Sequence, residues 1–355
     1  MNDETAKAAD RRRKQVTDAL SLLPRAELAV TPTPLQAAPR LGRRLGDRSI
    51  YIKRDDMTGL AFGGNKVRML EYVLGKAIAA GCDTVIGGSA SQSNYSRVLA
   101  GSCAKLGLDC HLVLRRMEGR DDDAPQGSLL LDHLYGAHVE LVDDDRDLQV
   151  DTLTALGDRL EAEGRVVYRA LQASEDDKTM HALPYLEAAF EFLDQLEASG
   201  IDAARIYICS LDTTHAGLLL GLRAAGSDIE VIGVSPYADG MWADRTAEEE
   251  VARLANEAAE MLGLETRIDP ADVRTTFEFA GTYGQVTEGG VHATRLFART
   301  EGLMLDPIYT MKAAAAMVSD HHTGDLPDGP VVFWHTGGTP AVFAYAGELL
   351  AGAPT

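Results

Sequence analysis

The decapeptide FGGNKVRMLE at residues 62–71 places a lysine closely after two glycines, at the start of an amphipathic helix. Gly63 and Gly64 permit backbone conformations that other residues resist. The apolar spacing that follows predicts a helix over 66–81, with Asn65 as its N-cap. Lys66 then lies in the first helical turn, where the positive end of the helix dipole disfavours a cation. This placement predicts a lowered pKa and a reactive amine, although an exposed lysine at a fraying helix end is the alternative.

Apolar runs elsewhere in the chain alternate with helical patterns, which is typical of α/β proteins with a mostly parallel sheet. We expect helices at 98–107, 150–164 and 182–200, and strands at 49–54, 84–88, 110–116, 138–142, 166–171, 205–210, 230–237 and 331–338. No linker rich in Pro, Gly or Ser marks a boundary, so a second domain would be inserted and discontinuous.

The composition excludes several classes of partner. The 355 residues carry a net charge of −20, which repels nucleic-acid backbones and anionic membranes. No apolar run reaches the roughly 18 residues that cross a bilayer. Arg11, Arg12 and Arg13 resemble the start of a twin-arginine signal, but no apolar core follows them. We therefore expect a cytoplasmic protein with no nucleic-acid or membrane partner.

Cysteines and histidines show no metal-binding or disulfide spacing. Cys82, Cys103, Cys110 and Cys209 form neither a CxxC motif nor a small-domain disulfide framework. The histidines lack an HExxH motif, and the adjacent His321–His322 pair lies in a polar stretch that is predicted to be a loop. The sequence therefore predicts reduced thiols and no metal site.

Two further motifs follow predicted strands and open helices, the position where α/β sheets bind ligands. In GGSASQSNYSR (87–97), Ser91, Gln92, Ser93 and Asn94 suit a carboxylate, or Ser93 is simply a helix cap. In CSLDTTHAGLLLGL (209–222), the hydroxyls and amides of Thr213 and Thr214 suit a phosphate. Asp212 is a discordant carboxylate there, and a helix start capped by Asp212 or Thr213 is a serious competitor.

Three weaker motifs add aromatic and glycine residues. Tyr309 follows Asp-Pro near the start of a helix in LDPIYTMKAAAAM (305–317). In FWHTGGTPAVFAY (333–345), Thr336 and Gly337 end a strand and allow the backbone to approach a flat ligand closely. Tyr283 lies in the glycine-flanked TYGQ stretch (282–285). Each of these also has a plain interpretation as turn chemistry.

Taken in order, the motifs GGNK, QSN-x-x-R, THAGL, GTYG, DPIYT-x-KA and HTGGTPA-x-FAY resemble the group of D-cysteine desulfhydrases and aminocyclopropane-carboxylate deaminases. The resemblance runs from about Thr31 to Tyr345. It implies the pyridoxal-phosphate-dependent fold type II, which is tryptophan synthase β-like, with two open twisted α/β domains and the cofactor between them. The large domain would comprise 1–61 and 176–355, and the small inserted domain 62–175. The resemblance also implies a homodimer.

The same resemblance implies roles for individual residues. Lys66 would bond the cofactor covalently and take the Cα proton, Asn94 would bind the ring hydroxyl, and Ser93 would receive the substrate carboxylate. The implied cofactor-binding residues are Lys66, Asn94, Ser210, Leu211, Asp212, Thr213, Thr214, Thr310, Thr336 and Gly337. The implied substrate-binding residues are Ser91, Gln92, Ser93, Asn94, Tyr95, Tyr283 and Tyr309, and the catalytic ones are Lys66, Tyr309, Tyr283 and Ser93.

The branch-specific positions favour β-elimination from a small amino acid, releasing a keto acid, ammonia and the leaving group. In the deaminase branch an acidic residue follows the tyrosine that matches Tyr309, whereas Thr310 stands here, and a leucine replaces Thr336. A neutral threonine leaves the cofactor ring a weaker electron sink, which suffices for a good leaving group such as a thiol. The alternatives are aminocyclopropane-carboxylate deamination, elimination from another substrate such as cysteate, and a catalytically silent ligand-binding relative.

The sequence also departs from the family pattern at clustered positions. The family's phosphate loop is rich in Gly and Ser, where this chain has Leu211, Asp212 and Thr213. QASEDDKT at 172–179 stands where a Gly-Gly-Ser turn is expected. These departures bear on which substrate the site accepts and on how it binds phosphate.

Overall fold

Two separate sheets organise the chain, whose computed structural model describes residues 3–170, 175–238 and 244–351. The unusual stretch at 172–179 therefore lies partly outside the described residues. Among the residues described, no helix is both long enough and apolar enough to cross a membrane.

The larger sheet has six strands, in the spatial order β1-β2-β10-β7-β8-β9. Its strands are β1 (Leu35–Ala37), β2 (Ile50–Lys53), β7 (Arg205–Ile208), β8 (Glu230–Val234), β9 (Arg274–Thr276) and β10 (Val331–Trp334). The smaller sheet has four parallel strands in the order β5-β4-β3-β6. They are β3 (Thr84–Ala90), β4 (Asp109–Arg115), β5 (His138–Val142) and β6 (Val167–Arg169). Among the strands that the structure describes, only the edge pair β1–β2 is antiparallel, so the carboxyl ends of the other strands in each sheet share one edge.

Helices cover both faces of the sheets. They are α1 (Asp3–Leu20), α2 (Pro39–Arg44), α3 (Asn65–Ala79), α4 (Asn94–Leu106), α5 (Gly127–Leu134), α6 (Arg146–Ala162), α7 (Glu175–Met180), α8 (Leu183–Ser199), α9 (Thr213–Ala224), α10 (Ala247–Met261), α11 (Glu288–Glu301), α12 (Thr310–Thr323) and α13 (Ala346–Leu350). Side chains of α8, α9 and α10 form one core with the larger sheet, and those of α11 and α12 form another. Helices α3 and α4 pack against the smaller sheet.

Three local predictions are wrong. Helix α3 begins at Asn65 itself, so its N-cap is Gly64, which has no side chain to cap the helix. His321 and His322 lie in the last turn of α12 and not in a loop. Strands β8 and β10 end at Val234 and Trp334, which leaves the predicted strand residues up to Tyr237 and up to Gly338 outside the sheet.

A buried ionic cluster fastens α3 to the larger sheet. The Asp55 carboxylate accepts hydrogen bonds from Arg68 (2.9 Å), Thr33 (2.8 Å), Tyr185 (2.7 Å) and Trp334 (3.0 Å). Arg68 lies two residues after Lys66 on the same helix. The cluster therefore holds the start of α3 in a defined position.

We expect this cluster to make folding sensitive to acid. Burial raises the pKa of the Asp55 carboxyl, but the charges of Arg68 and Lys53 outweigh burial and lower it to about 2. A carboxyl with a lowered folded-state pKa contributes stability above its unfolded-state pKa of about 3.9, and loses it as the pH falls towards 2. The free energy of unfolding should therefore lose about 2–3 kcal/mol from Asp55 over that interval.

Urea unfolding at several pH values between 2 and 6 measures this contribution. Asp55→Asn should be less stable at neutral pH and should show a shallower loss of stability below pH 4. The surface variant Asp143→Asn should follow the unsubstituted protein. Parallel pH profiles for Asp55→Asn and the unsubstituted protein would contradict the assignment.

Candidate active site

The N-terminal ends of four helices, which pack against the two sheets, meet at one cleft. It is lined by Asn65, Lys66, Asn94, Cys209, Ser210, Leu211, Asp212, Thr214, Pro236, Tyr237, Tyr309 and Thr336. These residues place the N-termini of α3, α4, α9 and α12 around the cleft, and each N-terminus is the positive end of a helix dipole. The cleft is therefore suited to a ligand with several negative groups.

Lys66 lies in this cleft as a partly exposed side chain. Among the described residues its Nζ has one contact within hydrogen-bonding range, the Met69 sulfur at 3.5 Å. Burial lowers the pKa of Lys66, and the charge of Asp212 opposes this by raising it. A lowered pKa gives a larger fraction of neutral amine, which is the nucleophilic and basic form.

Glycines bring two loops into direct backbone contact beside Lys66. Gly64 and Gly337 have φ values of 118° and 101°, which disfavour other residues. A Cβ on Gly337 would lie 2.5 Å from the Cα of Gly64, so there is no room for a side chain. The Asn65 amide donates to the Thr336 carbonyl at 2.9 Å across this contact. The side chain of Asn65, predicted as a cap, instead donates to Thr214 Oγ1 at 3.1 Å and links α3 to α9.

The start of α4 combines a helix cap with free polar atoms. Ser93 is the N-cap, and its hydroxyl accepts from the amides of Tyr95 (3.2 Å) and Ser96 (3.3 Å). Ser91 Oγ and Asn94 Oδ1 are buried and have no hydrogen-bond partner among the described residues. An unpartnered buried polar atom costs free energy, and Asn94 also lines the cleft, so its Oδ1 marks a place for a ligand.

Two other residues predicted at this helix have structural partners. The side-chain amide of Gln92 donates to the Gln126 carbonyl (3.1 Å), and its oxygen accepts from the backbone amide of Ser128 (3.0 Å). These two bonds hold the start of α5. Tyr95 is buried, and its ring centroid lies 5.9 Å from that of His181. Neither lines the cleft among the described residues.

At the start of α9, a serine caps the helix and the neighbouring aspartate does not. The Ser210 hydroxyl accepts from the amides of Asp212 and His215, each at 3.3 Å. Asp212 occupies the N-cap position but makes no side-chain capping bond, so the alternative in which it caps the helix is wrong. The amides of Thr213 and Thr214 have no acceptor among the described residues. They are therefore free to bind an anion.

Asp212 places a negative charge among these anion-binding groups. Its carboxylate accepts from Ser210 Oγ at 2.9 Å, lines the cleft, and raises the pKa of Lys66. A carboxylate near a bound phosphate is unfavourable by about 3 kcal/mol per unit charge at roughly 5 Å and an effective dielectric near 20. The carboxylate therefore weakens phosphate binding unless a cation is bound beside it.

We expect Asp212→Asn to tighten the binding of pyridoxal phosphate by about tenfold or more, because it removes the charge and keeps the side-chain shape. Asp212→Gly should act in the same direction. The surface variant Asp143→Asn should leave affinity unchanged. Fluorescence titration of the apoprotein measures the affinity, and equal affinities for Asp212→Asn and the unsubstituted protein would show that this charge does not act on the phosphate.

Three tyrosines form a cluster at the cleft, and two of them, Tyr237 and Tyr309, line it. The hydroxyls of Tyr283 and Tyr309 are 2.8 Å apart, and the ring of Tyr237 stacks on Tyr283 with centroids 5.3 Å apart. Burial is the largest cause that raises the pKa of Tyr309, and the neighbouring tyrosines add to it. Tyr309 therefore keeps its proton over the usual pH range and can act as an acid.

The sequence does not predict Tyr237 or Lys312 as residues of the site. Lys312 is buried and donates to the Pro236 carbonyl at 2.8 Å, which holds Tyr237 in the cleft. Tyr237 follows a strand, as the other site motifs do, and this position could have indicated a role in the site. The strand predicted at 230–237 includes Tyr237 and therefore hides that signal.

Thr310 lies apart from the lining residues. Its hydroxyl donates to Asp306 Oδ1 and accepts from the Asp306 amide, both at 2.7 Å. Asp306 also accepts from the amides of Ile308 (3.0 Å) and Tyr309 (2.9 Å), so it shapes the turn that presents Tyr309.

The cleft brings together the predicted residues Lys66, Asn94, Ser210, Leu211, Asp212, Thr214, Tyr309 and Thr336. Those not among its lining residues are Ser91, Gln92, Ser93, Tyr95, Thr213, Tyr283, Thr310 and Gly337.

Comparisons with known proteins agree on one family. Residues 26–337 match the family described as pyridoxal-phosphate dependent enzyme. A D-cysteine desulfhydrase of Salmonella choleraesuis (strain SC-B67) is 38% identical over 335 residues, which are 92% of this chain and 97% of that protein. The corresponding protein of Salmonella typhi is 37% identical over the same length.

A solved structure of an ACC deaminase homologue also matches, with a TM-score of 0.82 and 34% identity. The match covers 95% of this chain and 98% of that one.

Proposed function

The chain belongs to the family of pyridoxal-phosphate dependent enzymes, and from this membership we propose that it is a lyase for β-elimination from D-cysteine or a similar small amino acid. The fold type II and the pyridoxal phosphate cofactor predicted from the sequence are confirmed by the family match and its relatives. The observation that carries the proposed reaction is the convergence of the Lys66 amine and the Tyr309 hydroxyl in one cleft. The similarity to a D-cysteine desulfhydrase supports the choice of substrate.

The residues of the cleft fit pyridoxal phosphate with one exception. Lys66 offers the amine, the free amides of Thr213 and Thr214 suit the phosphate, and the unpartnered Asn94 Oδ1 suits a ring substituent that donates a hydrogen bond. The exception is the charge of Asp212, whose effect on phosphate affinity is stated above.

Each residue then has a role in elimination. Bound pyridoxal phosphate supplies an electron sink for the bonds at the substrate's Cα. The helix start at Ser93 and Asn94 receives the substrate carboxylate. Lys66 removes the Cα proton, which its lowered pKa permits by making the neutral amine available. Tyr309 donates its proton to the departing sulfur.

The overall reaction breaks the Cα–H and Cβ–S bonds of the substrate. Hydrolysis of the resulting three-carbon fragment consumes one water. The products from D-cysteine are therefore pyruvate, ammonia and hydrogen sulfide.

Ring opening is the second candidate, because the matched structure is that of an ACC deaminase homologue at 34% identity. We expect the holoenzyme to release pyruvate and sulfide from D-cysteine and little 2-oxobutyrate from aminocyclopropane carboxylate. Assays of both substrates side by side, with L-cysteine as the control for chirality, measure this directly. Robust 2-oxobutyrate with no pyruvate or sulfide would reject β-elimination and support ring opening.

The assembly, the domain limits and the location are also proposals. A homodimer and a division into 1–61 with 176–355 and 62–175 rest on the family resemblance. The strands of the smaller sheet all fall between 84 and 169, which supports the division. A cytoplasmic location rests on the sequence features given above.

A further inference from the structure

Asp109, His111 and His138 form a compact cluster at the amino edge of the smaller sheet. Asp109 and His111 alternate on β4, so their side chains share one face. His138 begins β5 and pairs directly with His111 across the strands. The two imidazoles stack, with centroids 4.4 Å apart and an angle of 23° between their planes.

The potential ligand atoms converge. Asp109 Oδ2 lies 3.5 Å from His111 Nε2, and Asp109 Oδ1 lies 3.3 Å from His138 Nε2. One ligand atom from each of the three residues lies within 4.8 Å of the others. Bonds of about 2.0–2.1 Å to a tetrahedral Zn²⁺ place neighbouring ligands about 3.3–3.5 Å apart. The two Asp109–histidine separations match those of neighbouring ligands at such a site, each through a different oxygen of Asp109.

The geometry points to a binding site for a divalent transition-metal cation, of the class of Zn²⁺, formed by Asp109, His111 and His138. Two imidazole nitrogens and a carboxylate favour such a cation over Mg²⁺ or Ca²⁺, which are bound by oxygen ligands. His138 is exposed, which leaves the fourth position open to water.

Arg165 competes with the cation for Asp109. Its Nη2 donates to Asp109 Oδ2 at 3.2 Å, while its Nε contacts Asp83 (3.1 Å) and Thr84 (2.8 Å). Metal binding must displace the contact with Asp109 or share the carboxylate, but the contacts with Asp83 and Thr84 can still hold the guanidinium. The nearby positive charge reduces the affinity of the site below that of an uncompeted one.

The position of the cluster indicates a structural role. It lies at the amino ends of β4 and β5, whereas Ser91 and Asn94 follow the carboxyl end of β3 in the same parallel sheet. Strand β5 is an edge strand and pairs only with β4 among the described residues. A cation shared by both strands would fasten this edge without taking part in catalysis at the cleft.

Zn²⁺ titration of the untagged holoenzyme against a chromophoric chelator, with no amino-acid substrate present, tests the site. We expect one Zn²⁺ per chain, and an affinity at least about tenfold weaker in His111→Gln and in His138→Gln. His322→Gln, which removes a histidine from another adjacent pair, should bind as tightly as the unsubstituted protein. Zn²⁺ should raise the melting temperature of the unsubstituted protein but not that of His138→Gln.

Two outcomes would overturn the site. One is that the unsubstituted holoenzyme fails to compete with a chelator of micromolar affinity, and the other is that His138→Gln binds Zn²⁺ as tightly as the unsubstituted protein. Because His138 is exposed and remote from the cleft, His138→Gln should keep full turnover of D-cysteine without metal. That unchanged turnover shows that weaker Zn²⁺ binding does not reflect a misfolded protein.

Discussion

Lys66→Ala should lower turnover by roughly 10³-fold or more, because one substitution removes both the amine that bonds the cofactor and the base for the Cα proton. The structure places this amine in the cleft with its pKa lowered by burial. Borohydride reduction of the unsubstituted holoenzyme should fix the cofactor to the peptide that contains Lys66. The variant should yield no such adduct, and mass spectrometry of the digested protein makes the measurement.

Two matched variants separate the chemistry from charge and folding. Lys66→Arg keeps the positive charge but cannot bond the cofactor, so it should be as inactive as Lys66→Ala. Lys76→Ala removes another lysine of α3 and should keep turnover and labelling. An undiminished adduct in Lys66→Ala would place the cofactor on another lysine and remove the basis for the proposed mechanism.

The sheets could be predicted from sequence because apolar runs of strand length alternate with helical patterns. The predicted strands at 138–142 and 205–210 correspond to β5 and β7, with differences only at their ends. The helix at 182–200 corresponds to α8 for the same reason. Helices α10 and α11 were not identified, although their apolar faces pack into the two cores beside the larger sheet.

The partners of polar side chains could not be predicted, because they are distant in sequence. Asp55 binds Thr33, Arg68 and Trp334, and no local pattern links these residues. Helix-capping propensity favours Asn65 as a cap, but in the structure its side-chain amide donates a hydrogen bond to Thr214. The proximity of Asp109, His111 and His138 likewise depends on the register between β4 and β5, which sequence spacing does not show.

Tyr309→Phe should lower the turnover of D-cysteine by about 10²–10⁴, because it removes a positioned acid and keeps the ring. The hydroxyl lies in the cleft, 2.8 Å from that of Tyr283, with its pKa raised by burial and the neighbouring tyrosines. A hydroxyl that keeps its proton can give it to the departing hydrosulfide but cannot take one from Cα. The loss should therefore depend on how much the leaving group needs a proton.

β-Chloro-D-alanine makes that dependence measurable, because chloride leaves without protonation. Tyr309→Phe should lose much less turnover with this substrate than with D-cysteine, at normal cofactor content measured by absorbance. Tyr283→Phe, which removes only the partner hydroxyl, should cost less than Tyr309→Phe with D-cysteine. Equal losses on both substrates would mean that Tyr309 acts before the leaving group departs, and unchanged turnover on both would mean that its hydroxyl only supports the packing of the cleft.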